Sequence, residues 1–151
     1  MIPANHVRGI TTELCCILDF TKLGIQCLYP IDHNSHYDVV LDINGRFIRV
    51  QCKASRYVKS SLDAFMFNTY VTTKTTSGSV RRLYTEADID YFYTSFNGTG
   101  YMIPIAEASN KTSFCLRFQP PKNSQKNVHY AHDYTITRFI NTCGRSSTVE
   151  H

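Results

Sequence analysis

The stretch SHYDVVLDINGRFIRVQCKAS, Ser35 to Ser55, constrains this chain more than any other. Apolar and polar residues alternate from Tyr37 to Ile43 and again from Arg46 to Ala54, with only Asn44-Gly45 between them. Alternation is the period of a half-buried strand, and Asn-Gly supplies the two left-handed residues of a type I′ turn, so the segment predicts a tight antiparallel hairpin. A two-residue loop pairs Ile43 with Arg46, which sets Asp38 across from Gln51 and His36 across from Lys53. One face then carries Tyr37, Val39, Leu41 and Ile43 over Ile48, Val50 and Cys52, a core face. The other gathers Asp38, Gln51 and Lys53 into one patch, because opposite and diagonal side chains on a sheet are neighbours.

The 151 residues suffice for one domain with a sizeable core, and ten Tyr and nine Phe without Trp suggest an aromatic-rich α/β interior. A net charge of +4 suits a polyanionic partner without requiring one. The six cysteines form no C-x-x-C and no Cys/His ligand spacing, so they read as small buried hydrophobes of a reducing, cytoplasmic environment. The N-terminus lacks the basic-then-apolar pattern of a signal peptide, and no apolar run is long enough to span a membrane.

Residues 8–23 predict a first helix, with Ile10, Leu14, Ile17 and Leu18 as its buried stripe and Gly24 as its stop. Glu13 falls on the flank of that stripe, either pairing outward at its edge or facing the hairpin's polar patch. A short strand, Ile25 to Tyr29, follows, then a loop whose His33 and His36 lack a third well-spaced ligand and read as loop or DNA-contacting histidines. Ala64 to Thr73 is a β-rich run and Lys74 to Arg82 a flexible basic loop. Tyr91 to Phe96 and Tyr101 to Ile105 predict a second hairpin around NGTG, followed by a short turn or helix and a strand from Ser113 to Phe118. A last short helix lies within residues 128–140, and residues 141–151 read as a flexible tail.

A magnesium ion takes hard oxygen ligands and keeps several waters, so Asp38 with the side-chain carbonyl of Gln51 could hold one, completed by a substrate phosphate. Lys53 would bring an ammonium to the same place, to orient or deprotonate a water or to stabilise a pentavalent phosphate. An exposed polar sheet face with an ordinary ion pair has the same spacing.

YDVVLDINGRFIRVQCK resembles the core of the PD-(D/E)XK nucleases, in the branch that carries Gln in place of the second acidic residue and includes intron-associated homing endonucleases. RGITTE around Glu13, PIDHNSHYD, ADIDYF, GYMIPI, CLRF, NSQ and YAHDY resemble other landmarks of that branch in the same order, so the likeness spans about residues 8–134. Thr12 departs from the family's second glycine, and His36 stands where Arg is common. The resemblance implies a single α/β domain with a restriction-endonuclease-like core: a central mixed sheet flanked by helices, with a peripheral β-hairpin. It implies Mg²⁺-dependent cleavage of double-stranded DNA, with Mn²⁺ as a substitute, by a homo-oligomer, dimer or tetramer. Asp38 and Gln51 would bind metal, Glu13 would bind or support it, and Lys53 would be the motif lysine. His36, Arg56, Lys59, Lys74, Arg81, Arg82 and Lys126 are candidate DNA contacts, as are Asn123 and Gln125 at base edges. A structure-specific junction or repair nuclease, and a DNA-binding module with a decayed site, stay open.

Overall fold

The structure, a computed structural model, describes residues 1–59, 61–123 and 125–148. It is built around a five-stranded sheet in the order β1-β2-β3-β8-β9. These strands are β1 (Gln26–Leu28), β2 (Val39–Ile43), β3 (Arg46–Cys52), β8 (Tyr91–Phe96) and β9 (Thr99–Pro104). The β2–β3 hairpin has the expected register, Ile43 opposite Arg46 and Val39 opposite Val50. Its turn takes φ of 53° at Asn44 and 83° at Gly45, the two left-handed residues of a type I′ loop. Asn97 and Gly98 repeat that turn between β8 and β9, at φ of 49° and 81°. β3 runs parallel to β8, while every other pair in this sheet is antiparallel, so the sheet is mixed.

Between β3 and β8 the chain crosses over through four strands outside the central sheet: β4 (Arg56–Val58), β5 (Ser61–Asn68), β6 (Tyr70–Thr75) and β7 (Gly78–Leu83). β4 and β5 join β10 (Ser113–Arg117) in a three-stranded antiparallel sheet, whereas β6 and β7 pair only with each other. The β-rich run expected from Ala64 to Thr73 is therefore two strands, broken at the buried Thr69, whose N–H donates to Thr112 O at 3.1 Å. The basic stretch from Lys74 to Arg82 is not a flexible loop but the tip and return strand of an exposed ribbon, which supplies the peripheral hairpin.

Helices α1 (Ala4–Lys22) and α3 (Ile136–Thr148) cover one face of the central sheet. Cys16, Phe20 and Phe139 pack there against Val39, Leu41, Ile48, Val50, Cys52, Tyr93 and Met102. The opposite face is covered by the second sheet and the one-turn α2 (Ile105–Ala108), with Phe65, Phe67, Phe114 and Leu116 against Phe92, Phe96 and Ile103. The two long helices thus lie on one side and the one-turn α2 on the other. Phe65 and Phe96 stack with ring centroids 4.5 Å apart and an interplanar angle of 2°, joining the two sheets.

α1 starts at Ala4 and ends where expected: Ile25 N–H donates to Phe20 O and Gly24 N–H to Thr21 O, the paired bonds of a Schellman motif, with Gly24 at φ 77°. Its buried residues are Thr12, Cys16 and Phe20, while Ile10, Leu14 and Leu18 of the expected core stripe face outward. α3 runs to Thr148, through much of the segment expected as a tail. Among the described residues, no helix is long and apolar enough to cross a membrane.

Candidate active site

Asp38 ends the loop that leads into β2. Its main-chain N–H donates to Val50 O at 2.9 Å, and its carboxylate accepts the Cys52 N–H at 3.0 Å. The β2–β3 ladder stops one pair earlier, at Val39 and Val50. The Asp38 side chain therefore takes the place of a main-chain acceptor at the edge of β3, rather than lying in a regular strand across from Gln51. Alternation fails at that point, and Tyr37 turns to the aromatic core under the second sheet instead of extending the Val39–Leu41 face.

Gln51 is half-buried on β3, beside Phe92 of β8 in the parallel ladder. Lys53 follows it, its main-chain N–H donating to Tyr93 O at 2.9 Å. The ammonium Nζ donates to Tyr70 O at 2.9 Å and lies 5.0 Å from the centroid of the Tyr84 ring, close enough for cation–π attraction. Glu13 projects half-buried from α1.

These groups feel one another. Burial raises the pKa of Glu13, and the Asp38 charge raises it further. Burial also raises Asp38, opposed by the Cys52 N–H and the Lys53 charge. Lys53 is lowered by burial, against the pull of Asp38. Tyr84 is pushed up to about 12, first by burial and then by Asp38. Glu13, Asp38 and Lys53 thus share one electrostatic site, and Gln51 sits between Val50 and Cys52, the two residues that hold Asp38.

Among the described residues no group of three or more His, Cys, Asp or Glu could hold a metal ion. The oxygen donors here are two carboxylates and an amide carbonyl, a set that suits a hard divalent cation and no soft one. Burial pushes both carboxylates toward protonation, and the Asp38 charge pushes Glu13 further, a setting in which such a cation is favoured.

The remaining expected contacts divide by position. Arg56 lines a cleft of about 270 Å³ next to the site, with Asn5, Arg8, Lys53, Ala54, Asn68 and Tyr70. His36 Nδ1 accepts from Arg82 Nη2 at 2.7 Å, and Arg82 Nη1 donates to Asp88 Oδ2 at 2.9 Å. Lys74 and Arg81 stand on the exposed β6–β7 ribbon, and Lys59 is exposed just past β4. Asn123 and Lys126 are exposed in the loop after β10, while Gln125 lines a separate cleft of about 230 Å³ with Lys111, Arg117 and His129. Asn5, Arg8, Asn68, Tyr70 and Tyr84 were not singled out by the sequence. Of these only Arg8 had a local signal, one and a half helical turns before Glu13 on the same helix; its Nη2 donates to Ser55 O at 2.7 Å.

A family model described as PD-(D/E)XK endonuclease matches residues 4–137. The chain belongs to the PD-(D/E)XK endonuclease family. Protein 5.3 of Escherichia phage T7 is 26% identical over 113 residues, which cover 74% of this chain and 90% of that protein. Among solved structures, a bacterial homing endonuclease, I-Ssp6803I, superposes with a TM-score of 0.76 over 99% of each chain at 18% identity, so the two share a fold. This PD-(D/E)XK endonuclease therefore has the α/β architecture and the endonuclease class that the family resemblance implied.

Proposed function

We propose that this PD-(D/E)XK endonuclease hydrolyses phosphodiester bonds of duplex DNA with a divalent cation, Mg²⁺ or in its place Mn²⁺, in the manner of a homing endonuclease. The observation that most supports it is the anchoring of the Asp38 carboxylate on the Cys52 N–H at 3.0 Å, at the end of β3 next to Lys53, in electrostatic contact with Lys53 and with Glu13 of α1. Asp38 and Glu13 carry the charge that holds the cation, and Gln51 offers its amide oxygen. The cation, when bound, supplies a Lewis acid for the phosphate and lowers the pKa of water. Lys53 gives one N–H to Tyr70 O and keeps two donors to orient the attacking water and to neutralise charge on the pentavalent phosphate. Water attacks in line as the bond to the leaving sugar oxygen breaks. Arg56, Lys59, Arg82, Lys126 and His36 serve as backbone contacts, which set affinity and salt dependence, and Lys74 and Arg81 face the same duplex.

Cutting both strands takes two such sites, so the working form is a homo-oligomer, a dimer or a tetramer. α1 offers the surface for it. Val7, Ile10, Leu14 and Leu18 keep 44%, 43%, 58% and 54% of their surface exposed along one side of the helix. Their three- and four-residue spacing is that of a seam between two helices, and an apolar patch on the order of several hundred Å² marks an interaction site. A second copy of α1 fits it, since each copy presents the same uncharged stripe. The cytoplasm, where reduced cysteines persist, suits the six unpaired cysteines.

The test is nicking of supercoiled plasmid in Mg²⁺ by the wild type, Asp38→Ala and Lys53→Ala. The reading expects cutting by the wild type and a loss of at least ~100-fold in each variant, the size of a lost charged catalytic group. Equal cutting by all three, or none by any, would reject it.

A further inference from the structure

The β6–β7 ribbon has no partner in either of the other sheets, and it is exposed from Thr72 to Arg81. Between Tyr70 and Leu83 it carries Lys74, Arg81 and Arg82 and no carboxylate. The ladder pairs Thr72 with Arg81 and Lys74 with Ser79, so hydroxyls and cations alternate on a single face. A two-stranded ribbon is one of the few elements that the ~12 Å major groove of B-DNA admits. Arg and Lys match the acceptors of guanine there, and Thr and Ser bond to any base edge. Arg81 is also held in place: its guanidinium lies 4.4 Å from the Tyr70 ring centroid.

The root of the ribbon is a separate observation. Tyr70, the first residue of β6, accepts the Lys53 ammonium on its carbonyl at 2.9 Å. Tyr84, immediately after β7, lies under the same ammonium at 5.0 Å. Arg82 ties the return strand to His36, in the loop that leads into Asp38, at 2.7 Å. Both strands of an exposed basic arm therefore end on the groups that set the active-site lysine.

We propose that the β6–β7 ribbon is the sequence-reading arm, entering the major groove with its Thr72, Lys74, Ser79 and Arg81 face, and that its docking positions Lys53 through Tyr70 and Tyr84. This rests on the duplex-DNA nuclease reading and adds where the base readout comes from. Arg81 is the specificity residue. Tyr84 is a positioning residue.

The experiment is recovery of bound DNA from a random duplex library in Ca²⁺, so that binding is read apart from cutting, with the wild type, Arg81→Ala and Lys74→Ala. The wild type should recover a consensus, and Arg81→Ala should lose the preference at a guanine within it. Affinity of Arg81→Ala for the wild-type site should fall about ten- to hundred-fold, with little change on random duplex. The same consensus from every variant, with affinity lowered alike on all duplexes, would overturn the arm. So would a wild type that binds DNA with no consensus or binds none. A wild type that recovers a consensus yet does not cut in Mg²⁺ would sink the nuclease reading and leave the arm standing. For the coupling, Tyr84→Leu should lower kcat with KM and consensus unchanged, and Tyr84→Phe, which keeps the ring, should restore kcat. Equal kcat for wild type and Tyr84→Leu would overturn it.

Discussion

Gly100 of β9 faces Asp19 of α1 and Ile136 of α3. A Cβ there would lie 2.7 Å from Tyr93 Oη and 2.8 Å from Ile136 Cδ1, and against the Asp19 carboxylate. Tyr93 Oη donates to Asp19 at 2.6 Å, so a methyl group would push on the bond that ties α1 to β8. Gly100→Ala should destabilise by about 1–3 kcal/mol, the usual cost of overpacking, measured as a lower urea midpoint with an unchanged slope. Asp90 invites a pH experiment. Burial pushes its carboxyl up, but the Arg49 guanidinium and main-chain N–H, at 3.0 Å and 2.8 Å, outweigh that and hold it below the usual range. A depressed carboxylate lends stability at pH above its unfolded value of about 4, and that stability is lost as pH falls through the folded value. Because the pair is partly exposed, Asp90→Asn should cost only about 1 kcal/mol at pH 7. The gap in stability between wild type and variant should close as pH drops from 5 toward 2 in acid-denaturation curves; a gap that widened would contradict the Arg49 pairing. Single residues also show where reading from sequence runs out. The place of Asp38 beside the β3 strand was legible from the hairpin, but not its bond to the Cys52 N–H, because a side chain that replaces a ladder acceptor leaves no mark in an alternating pattern.

At the scale of elements, α1 was the least legible. It is apolar on two sides, and periodicity cannot say which side meets the sheet. The small side chains of Thr12 and Cys16 let the helix approach closely, with Phe20 filling the end of that stripe, so the larger Ile10, Leu14 and Leu18 turn outward. If that outer stripe seats a second copy, Leu14→Lys with Leu18→Lys should convert an oligomer to a monomer in sedimentation equilibrium while leaving the thermal midpoint of the chain nearly unchanged. A wild type that stays monomeric at tens of micromolar would remove α1 as an interface. The ribbon answers to the expected peripheral hairpin, but its tip and return strand read as a loop for a different reason. Thr, Ser and Gly through residues 72–79 look like a solvated loop, since an exposed two-stranded arm buries neither face and so carries no alternation of apolar residues.

Across the whole molecule, what the sequence made legible was local: the Asn44-Gly45 turn with its register as far as Val39 and Val50, and a second hairpin around Asn97-Gly98. The second sheet was not, because β4, β5 and β10 find one another across a long stretch of chain, and aromatic residues such as Phe65 and Phe67 would suit a strand in either layer. The split matters for function, since the crossover that builds the second sheet also delivers Tyr70 and Tyr84 to Lys53. Glu13, Asp38 and Gln51 are proposed to hold one divalent cation jointly, beside Lys53. Calorimetric titration of Mn²⁺ into the wild type and three variants measures it directly. One site is expected in the wild type, lost in Asp38→Asn, weakened about tenfold or more in Glu13→Gln, and strengthened in Gln51→Glu by the added charge. Mn²⁺ binding by Asp38→Asn with the affinity of the wild type would contradict it.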